Sequence, residues 1–395
     1  MANATFIKNI KIKGYKSIQE LEIDFQPGLN IIIGKNGSGK TNFVEFLFRI
    51  TNFKVADLSY FDCVLNGFHN QVKDFVLWIK SQSFYENNQS NTNLFGELTS
   101  DSKIFTAQRR QNYSNPYFSE LSNEINKEYP FLLESKIIPF NISQKIDFIT
   151  QPETILIGFS GSTIFPYVPK YYETSILEMF KTGGLNELFN GLINPKNVPN
   201  FDSLPFGDNN ELIERLLTST DGFFSELKKY LMLYSPIKNI RFSPDLKIKK
   251  LNNDLIFSNL IIEFYVNNHW QVYDLLSDGT KRLFYIIEEI FFYQNIIILE
   301  EPEIGIHPHQ LHLLMLFLKE EAERKQIFIT THSPQILDVL NPGELNKIII
   351  CEMTENGTQL HHLSEKQKSK AKKYMKDEAF LSDYWIHSDL EPQIL

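Results

Sequence analysis

Eight consecutive residues match the phosphate-loop pattern GxxxxGK[ST] at every position: Gly34, Lys35, Asn36, Gly37, Ser38, Gly39, Lys40 and Thr41. The apolar run 29–33 before them is typical of a buried strand, and residues 42–48 after them are typical of a helix. A strand, a glycine-rich loop and a helix in this order form the geometry that binds phosphate. The alternative is a glycine turn that matches the pattern by chance.

Each residue type in this loop has a chemical reason to be there. Glycine lacks a Cβ atom, so the loop backbone can turn tightly and point its N–H groups at phosphate oxygens. The N-terminus of the following helix adds partial positive charge. Lys40 supplies a full charge near the β and γ phosphates, and the Thr41 hydroxyl is the expected Mg²⁺ ligand. The loop therefore predicts a nucleoside triphosphate with Mg²⁺.

Composition narrows the class of protein. The 395 residues, 42% of them hydrophobic, suffice for a large two-lobed domain or two domains. The formal net charge of −9 argues against a surface dominated by nucleic-acid binding. Cys63 and Cys351 lie too far apart in sequence to suggest a metal or redox motif. We see no signal peptide and no apolar run near ~18 residues, so we expect a cytoplasmic protein without a membrane span.

The order of patterns along the chain predicts an α/β fold in four segments. The first holds alternating strand-like residues, the glycine-rich loop and its helix. The second is the least regular and reads as an inserted lid or helical subdomain, with strands at 75–79 and 103–106 and helical spacing over 209–234. The third returns to strands, and the fourth is a charged, helical tail. These segments are residues 1–51, 52–235, 236–363 and 364–395.

Two turns could contact a bound nucleotide. Lys16 and Ser17 lie between two strands close to the loop, and their alternative role is a plain hairpin turn. Ser277, Asp278 and Gly279 lie where a helix begins, at which a hydroxyl, backbone N–H groups and the helix dipole can bind an anion. Taken alone, this second turn reads as an ordinary helix cap.

Polar residues follow two further apolar strands. Glu300 and Glu301 end the strand 296–299, where ligands bind in open α/β sheets. The first acid suits Mg²⁺ and the second suits a base that orients the attacking water. His332 ends the strand 327–331 and could touch a γ phosphate. The alternatives are two surface acids and a structural histidine.

This succession resembles the ATP-binding-cassette ATPases of the chromosome-maintenance and RecF-like branch, over residues 5–50 and 235–363. The resemblance implies an ATP-binding-cassette-type phosphate-loop head, with a mixed sheet core, an N-terminal antiparallel sheet and an inserted lid. Residues with family counterparts are the signature Ser277, Asp278 and Gly279, the Walker B pair Glu300 and Glu301, the D-loop residues Gly305 and His307, and the switch histidine His332. Lys16 and Ser17 sit where related heads contact nucleotide.

The chain departs from the family pattern in three places. Its signature differs from LSGGQ at the third and fifth positions, and Glu300 replaces the usual aspartate, which leaves the metal geometry open. For the family's Q-loop glutamine the candidates are Gln71 and Gln108.

The resemblance also implies a mechanism and partners. Two heads enclose two ATP molecules, so that Ser277 to Gly279 of one chain reach the γ phosphate held by the loop of the other. Glu301 then activates water, and hydrolysis lets the homodimer or higher oligomer open. The alternative is a monomeric ATPase.

The biological role has two leading interpretations. No heptad pattern predicts a long coiled coil, and we expect the 364–395 tail to be too short for the nuclease domain that follows the cassette in overcoming-lysogenization-defect nucleases. The chain resembles standalone ATPase subunits of bacterial anti-phage systems of the Septu or PARIS type, which implies a sensor or regulator of a separate effector, a nuclease or toxin. The alternative is a RecF-like DNA-binding ATPase in repair or recombination. A transporter motor is disfavoured by the 15–17 turn and by the acidic run 300–303.

Overall fold

The structure is a computed structural model. It describes residues 5–58, 60–86, 89–100, 103–111, 117–129, 132–133, 135–138, 155–160, 163–167, 227–245, 247–251, 254–258, 262–292, 295–376 and 380–387. Of the helical spacing predicted over 209–234, residues 227–234 are confirmed as helix, and 209–226 lie outside the described residues.

Strands dominate the part of the chain that the structure describes. In chain order they are β1 (Thr5–Tyr15), β2 (Ile18–Asp24), β3 (Leu29–Ile33), β4 (Phe61–His69), β5 (Lys73–Glu86), β6 (Gln89–Ser100), β7 (Ile104–Gln111), β8 (Ser135–Ile138), β9 (Ile155–Ser160), β10 (Thr163–Tyr167), β11 (Asn239–Phe242), β12 (Lys247–Leu251), β13 (Asp254–Ser258), β14 (Ile262–Val266), β15 (His269–Val272), β16 (Ile296–Glu300), β17 (Ile327–Thr331), β18 (Ile348–Thr354) and β19 (Gly357–His362). The labelled helices are α1 (Lys40–Thr51), α2 (Ser119–Glu128), α3 (Asp278–Phe292), α4 (Pro308–Glu321), α5 (Glu365–Lys376) and α6 (Leu381–His387).

The chain divides into two compact units. The first joins Met1–Phe140 to Tyr293–Leu395, and the second is Asn141–Phe292. Twelve strands of the first unit form one sheet, in the order β7-β6-β5-β4-β1-β2-β19-β18-β3-β17-β16-β8. The neighbours β18, β3, β17, β16 and β8 are parallel, whereas β1, β2, β4 and the strands beyond pair antiparallel. The predicted α/β fold with a mixed sheet and an N-terminal antiparallel part is therefore confirmed.

The strands that run parallel at the centre are the most apolar. Every residue of β3, β16 and β17 is buried, which is typical of parallel strands covered on both faces. Helix α1 packs on the sheet with apolar residues at helical spacing, among them Phe43, Phe46 and Ile50. The ring of Phe46 lies 4.7 Å from that of Tyr15. The loop at 34–41 thus connects a completely buried strand at the centre of the sheet to a helix that packs on the sheet.

Strands β4 to β7 belong to the large sheet, although the sequence analysis assigned them to the inserted segment. Strand β4 alternates buried and half-buried residues and pairs with β1 along its length, and β5 to β7 continue the antiparallel ladder. Alternation of buried and exposed residues predicts a strand but does not show which sheet the strand joins, because strands of the large sheet and of an inserted subdomain would alternate in the same way. The bounds at 51, 235 and 363 remain predictions.

A buried glutamine makes hydrogen bonds to the backbone of β1 and of the segment that follows β2. The side chain of Gln326 is fully buried, and its Oε1 accepts from the Ile7 amide at 2.7 Å. Its Nε2 donates to the Ile7 carbonyl at 2.8 Å and to the Gln26 carbonyl at 3.1 Å. Buried backbone groups need hydrogen-bond partners. The side-chain amide of Gln326, the residue before β17, therefore serves the backbone groups of Ile7 as a neighbouring strand would.

The second unit contains two smaller sheets. One has the order β10-β9-β13-β12, and the other β11-β14-β15. The hairpin between β14 and β15 turns at Asn267 and Asn268, whose φ angles of 51° and 66° fit the predicted two-residue turn. Phe284 of α3 packs edge-on against Phe264, with ring centroids 4.8 Å apart.

Two helices end the described chain. The short α6 buries Trp385 and is fixed by Ser382, whose amide and hydroxyl donate to the Asp338 carboxylate at 2.8 Å each. Within the described ranges, no helix is long and apolar enough to cross a membrane.

Candidate functional site

Three neighbouring parallel strands end at the same edge of the large sheet. Strand β17 pairs with β3 so that Thr331 faces Ile33, and with β16 so that Thr330 faces Glu300. The next residues along these strands are Gly34, Glu301 and His332. The structure therefore brings together the glycine-rich loop, the paired acids and the histidine, at the strand ends where open α/β sheets bind ligands.

The glycines of the loop are required by crowding and by backbone conformation. A Cβ atom at Gly34 would lie 2.1 Å from the Cys351 carbonyl oxygen, and one at Gly39 would lie 1.9 Å from Thr358 Oγ1. Gly37 and Gly39 have φ angles of 79° and 101°, in the left-handed region that favours glycine. The loop can take this tight course against β18 and β19 only without side chains at these positions.

The charged and polar side chains of the loop differ in burial. Lys40 is buried, and its ammonium donates to the carbonyls of Gly34 at 2.7 Å and Lys35 at 3.0 Å. Lys35 and Asn36 are exposed at the tip. Ser38 is buried, and its hydroxyl has no hydrogen-bond partner among the described residues. The lysine charge is therefore held inside the curve of the loop.

Thr41 and Glu300 meet at the start of α1. Burial, with the charges of Glu301 and Glu45, raises the pKa of Glu300 to about 7, although a hydrogen bond from the Thr41 hydroxyl opposes the shift. A buried carboxylate beside a hydroxyl is a pair of hard oxygen donors of the kind that Mg²⁺ uses together with substrate phosphates. Within the described ranges, no group of three or more acidic, histidine or cysteine side chains is arranged so that it could hold a metal ion by itself. The two donors fit a Mg²⁺ ion that phosphate oxygens and water help to coordinate.

The second acid has an unusual backbone. Glu301 has a φ angle of 42°, and its amide donates to the Thr330 carbonyl at 2.8 Å. Its Oε1 lies 3.5 Å from Nδ1 of His332, which is exposed. Glu303 Oε1 lies 3.7 Å from the same nitrogen. Two carboxylates are thus near Nδ1 of the histidine.

The residues assigned to the D-loop follow the acids directly. Gly305 is exposed, with a φ angle of 73°. His307 caps α4, because its Nδ1 accepts from the His309 amide at 3.3 Å and Pro308 is the first helical residue. The histidine therefore has a clear structural role at this helix start.

The turn at Lys16 and Ser17 lies beside the start of α1. Ser17 Oγ lies 2.7 Å from Thr358 Oγ1 and accepts from Asn42 Nδ2, also at 2.7 Å. The ammonium of Lys16 pairs with the Glu45 carboxylate on α1. Sequence reasoning missed Asn42 and Thr358, although Asn42 directly follows the loop pattern. No local signal marks Thr358, which is 341 residues from Ser17.

The predicted signature residues lie in the second unit. Ser277 Oγ lies 2.8 Å from Thr280 Oγ1 and accepts from the Thr280 amide at 3.3 Å, so it caps α3. Ser277 and Asp278 are exposed. The cap interpretation is therefore confirmed, and an exposed helix start remains compatible with an anion-binding role.

Neither candidate for the Q-loop glutamine is placed near the loop by strand order. Gln108 lies on β7, from which seven strands separate β3, and Gln71 lies in the turn between β4 and β5. The Q-loop residue stays unassigned.

Comparisons with known proteins agree with this geometry. A sequence model described as "AAA domain" matches residues 9–255, which is more than half of the chain. A second model, described as "AAA domain, putative AbiEii toxin, Type IV TA system", matches residues 187–338. The two ranges together contain the glycine-rich loop, the paired acids and His332.

Three curated relatives cover different shares of the chain. DNA replication and repair protein RecF from Streptococcus agalactiae is 51% identical over 43 residues, 11% of this chain and 12% of its own length. Endonuclease GajA from Bacillus cereus is 23% identical over 93% of this chain and 62% of its own length. Septu protein PtuA from Bacillus thuringiensis is 25% identical over 86% of this chain and 74% of its own length. The chain thus spans less than two thirds of the RecF and GajA relatives.

A solved structure supports the fold. The Smc head domain derived from Pyrococcus furiosus, with an extended coiled coil and bound to the C-terminal domain of ScpA, matches with a TM-score of 0.50 and 15% identity. The match covers 94% of this chain and 100% of that one. The architecture of an Smc-type head is therefore shared.

Substitution of Gly39 tests the packing of the loop. Gly37→Ala adds a Cβ that meets nothing within 4 Å, so it should lose only about 1 kcal/mol of unfolding free energy, because of its positive φ. Gly39→Ala adds the same strain and a collision with buried Thr358, so it should lose a further ~1–3 kcal/mol. Urea unfolding of both variants measures the difference. Equal losses would show that β19 does not support the loop.

Proposed function

Since the chain belongs to the AAA domain family, we propose that it binds ATP with Mg²⁺ and hydrolyses it. The observation that carries the proposal is the meeting of three groups at one sheet edge: the loop at 34–41, the acids Glu300 and Glu301, and His332. A glycine turn that matched the pattern by chance would have no reason to lie beside two acids and a histidine from other strands.

Each residue of the site has a separate task in this proposal. The loop N–H groups and Lys40 bind the β and γ phosphates, in the electropositive start of α1. Thr41 and Glu300 would hold Mg²⁺, which when bound neutralises charge that develops on the phosphates. Glu301 accepts a proton from the attacking water and orients it, and His332 donates a hydrogen bond to the γ phosphate. Lys16 and Ser17 steady the start of α1 beside the nucleotide.

Two substitutions separate binding from hydrolysis. Lys40→Ala should abolish ATP binding, because it removes the charge held inside the loop. Glu301→Gln should bind ATP normally and hydrolyse it about 10²-fold more slowly or worse, since an amide cannot accept the proton. Equilibrium binding and steady-state phosphate release measure the two effects. Hydrolysis by Glu301→Gln at the parental rate would move the role of base to Glu300 or His332.

We further propose that the active form is a homodimer or higher oligomer in which each ATP is shared between two chains. The exposed start of α3, with the Ser277 hydroxyl, backbone N–H groups and Gly279, has the chemistry of a phosphate contact. Within the family it resembles, that contact is made to the nucleotide of the neighbouring chain. Gly305 and His307, next to the acids, would lie at the same interface.

Mixing two inactive variants tests the shared site. Ser277→Arg should block ATP-dependent closure while each phosphate loop still binds nucleotide, because no residue of the loop is altered. A mixed dimer of Ser277→Arg and Lys40→Ala chains would contain one intact site and one with both halves broken. Recovery of up to about half the parental activity is expected if the sites act independently, and strong coupling would lower it. Unimpaired hydrolysis by Ser277→Arg alone, with no recovery on mixing, would mean that one chain suffices.

For the biological role we propose a sensor or regulator in anti-phage defence, acting through a separate nuclease or toxin. PtuA and GajA support this role, since both align over most of this chain. Because the chain spans only 62% of GajA, the activity of that whole protein is not transferred. The gene neighbourhood distinguishes the defence role from a role in DNA repair. An adjacent small effector gene favours defence, and adjacent recombination genes favour repair.

A cluster of lysines favours a second candidate, a RecF-like ATPase that binds DNA. Helix α5 contains six lysines and one glutamate in a chain of net charge −9. Lys366, Lys370 and Lys373 are exposed and recur at i, i+4 and i+7, so they lie on one face. Like charges at this spacing destabilise a helix, and a lysine in its first turn opposes the dipole. A polyanion would offset both effects.

Neutralising this face tests the second candidate. The triple variant Lys366→Gln, Lys370→Gln and Lys373→Gln should weaken duplex DNA binding at least tenfold near 50 mM salt, and reduce the slope of log K against log salt by up to about 2.7. A matched control neutralises Lys8, Lys11 and Lys13 on β1, which already pair with carboxylates. Fluorescence anisotropy with a labelled duplex measures both. No duplex binding by the parental chain at that salt would remove the repair candidate.

A further inference from the structure

Glu303 is an acid at the site to which the proposed mechanism gives no task. Its side chain is 9% exposed. Its Oε1 accepts from the Thr331 hydroxyl at 2.6 Å and from the His332 amide at 3.2 Å. Its Oε2 is buried and has no hydrogen-bond partner among the described residues. Burying a carboxylate is costly, so this side chain is not an ordinary surface acid that follows a strand.

We propose that Glu303 is a positioning residue for ATP hydrolysis, which holds His332 and Glu301 in one fixed arrangement. The inference rests on the proposed function, because it takes Glu301 as the base and His332 as the γ-phosphate contact. Glu303 itself touches neither the phosphates nor the water in this scheme. It acts through the end of β17 and the turn that carries Glu301.

The first part of the argument is the position of the imidazole. Nδ1 of His332 lies 3.5 Å from Glu301 Oε1 and 3.7 Å from Glu303 Oε1. The same Glu303 oxygen also accepts a hydrogen bond from the backbone N–H of His332. One carboxylate oxygen therefore contacts both the backbone and the ring of this histidine. His332 is exposed, and an exposed side chain is free to change rotamer unless such contacts restrain it. The carboxylate therefore limits where the ring can lie.

The second part is the backbone of Glu301. Its φ angle of 42° costs a non-glycine residue roughly 1–2 kcal/mol, and such conformations persist only where the surroundings enforce them. Two links enforce it here. The Glu301 amide donates to the Thr330 carbonyl, and the Glu303 carboxylate binds Thr331 and His332. Both links connect the turn that carries Glu301 to the end of β17. Loss of the Glu303 hydrogen bonds would therefore weaken the hydrogen bond between Glu301 and Thr330.

Two substitutions of Glu303 grade the effect. Glu303→Gln keeps an oxygen that can accept from Thr331 and His332, but places an NH₂ group where Oε2 has no partner. Glu303→Ala removes both hydrogen bonds. We expect kcat to fall about 10- to 100-fold, with the larger loss in the alanine variant, as is usual when a supporting hydrogen bond is removed. KM should stay within about twofold, because the phosphate loop is unchanged.

Glu323→Gln is the matched control, since Glu323 is an exposed acid just beyond α4. It should leave kcat and KM at the parental values. A kcat for Glu303→Ala within about twofold of the parent, or a raised KM at unchanged kcat, would overturn the proposal. Should the alanine variant fail to fold, Glu303→Gln alone decides, by the same two parameters.

A double-mutant cycle tests whether Glu303 acts through the histidine. If it does, Glu303→Gln combined with His332→Ala should lose no more than the larger of the two single losses. If the two losses multiply instead, Glu303 does not act through His332, and the proposal that it positions the histidine is wrong. A general loss of stability would also multiply, so the cycle separates positioning from weakened folding.

One readout does not depend on turnover. The imidazole NMR signals of His332 in the full chain should shift in Glu303→Gln and Glu303→Ala and stay in place in Glu323→Gln. Unmoved signals in both Glu303 variants would refute the positioning role even in an active enzyme. If the parental chain does not hydrolyse ATP, the proposed function fails, and shifted signals would still uphold Glu303 as the residue that places His332.

Discussion

The parallel register of β3, β17 and β16 is the constraint on which the site depends. Side chains alternate along a strand, and a slip of one residue would turn every one of them to the opposite face. The observed register sets Ile33 beside Thr331 and Thr330 beside Glu300, so the three segments of the candidate site leave the sheet at one level. All three strands are completely buried, so a shift in register would require the closely packed core around them to repack. The geometry of the site thus follows from the apolar core beneath it.

The loop is supported from the opposite end of the chain. The carbonyl of Cys351 and the hydroxyl of Thr358 occupy the space that side chains at Gly34 and Gly39 would need. Thr358 also reaches Ser17, which in turn accepts from Asn42 on α1. The hairpin of β18 and β19 therefore ties the N-terminal turn to the helix that carries Lys40 and Thr41. Loop, helix and turn are held as one unit before any ligand contact is considered.

Local signals in the sequence predicted most of the central strands and marked the residues of the candidate site. Continuous apolar runs located β3, β16 and β17, and the residues that follow them are the loop, the acids and the histidine. Contacts between distant residues could not be predicted in this way. Gln326 lies 319 residues from Ile7, to which it is hydrogen-bonded. Strands β4 to β7 join the large sheet, which the alternation of their residues could not predict. Glu303 was visible in the acidic run, but its bonds to Thr331 and His332 need the register of β17.

Electrostatics connects the acids to the ligand that they are proposed to bind. Glu45 is paired with Lys16 and Arg49, whereas the pKa of Glu300 is raised to about 7 by burial and by the charges of Glu301 and Glu45. A triphosphate would add more negative charge at the same edge, and Lys40 offsets only part of it. A divalent cation between the phosphates and Glu300 would remove the conflict, since it favours the ionised carboxylate. A nucleotide bound as we propose would therefore need Mg²⁺ beside it, because the acids that repel the triphosphate alone attract the cation.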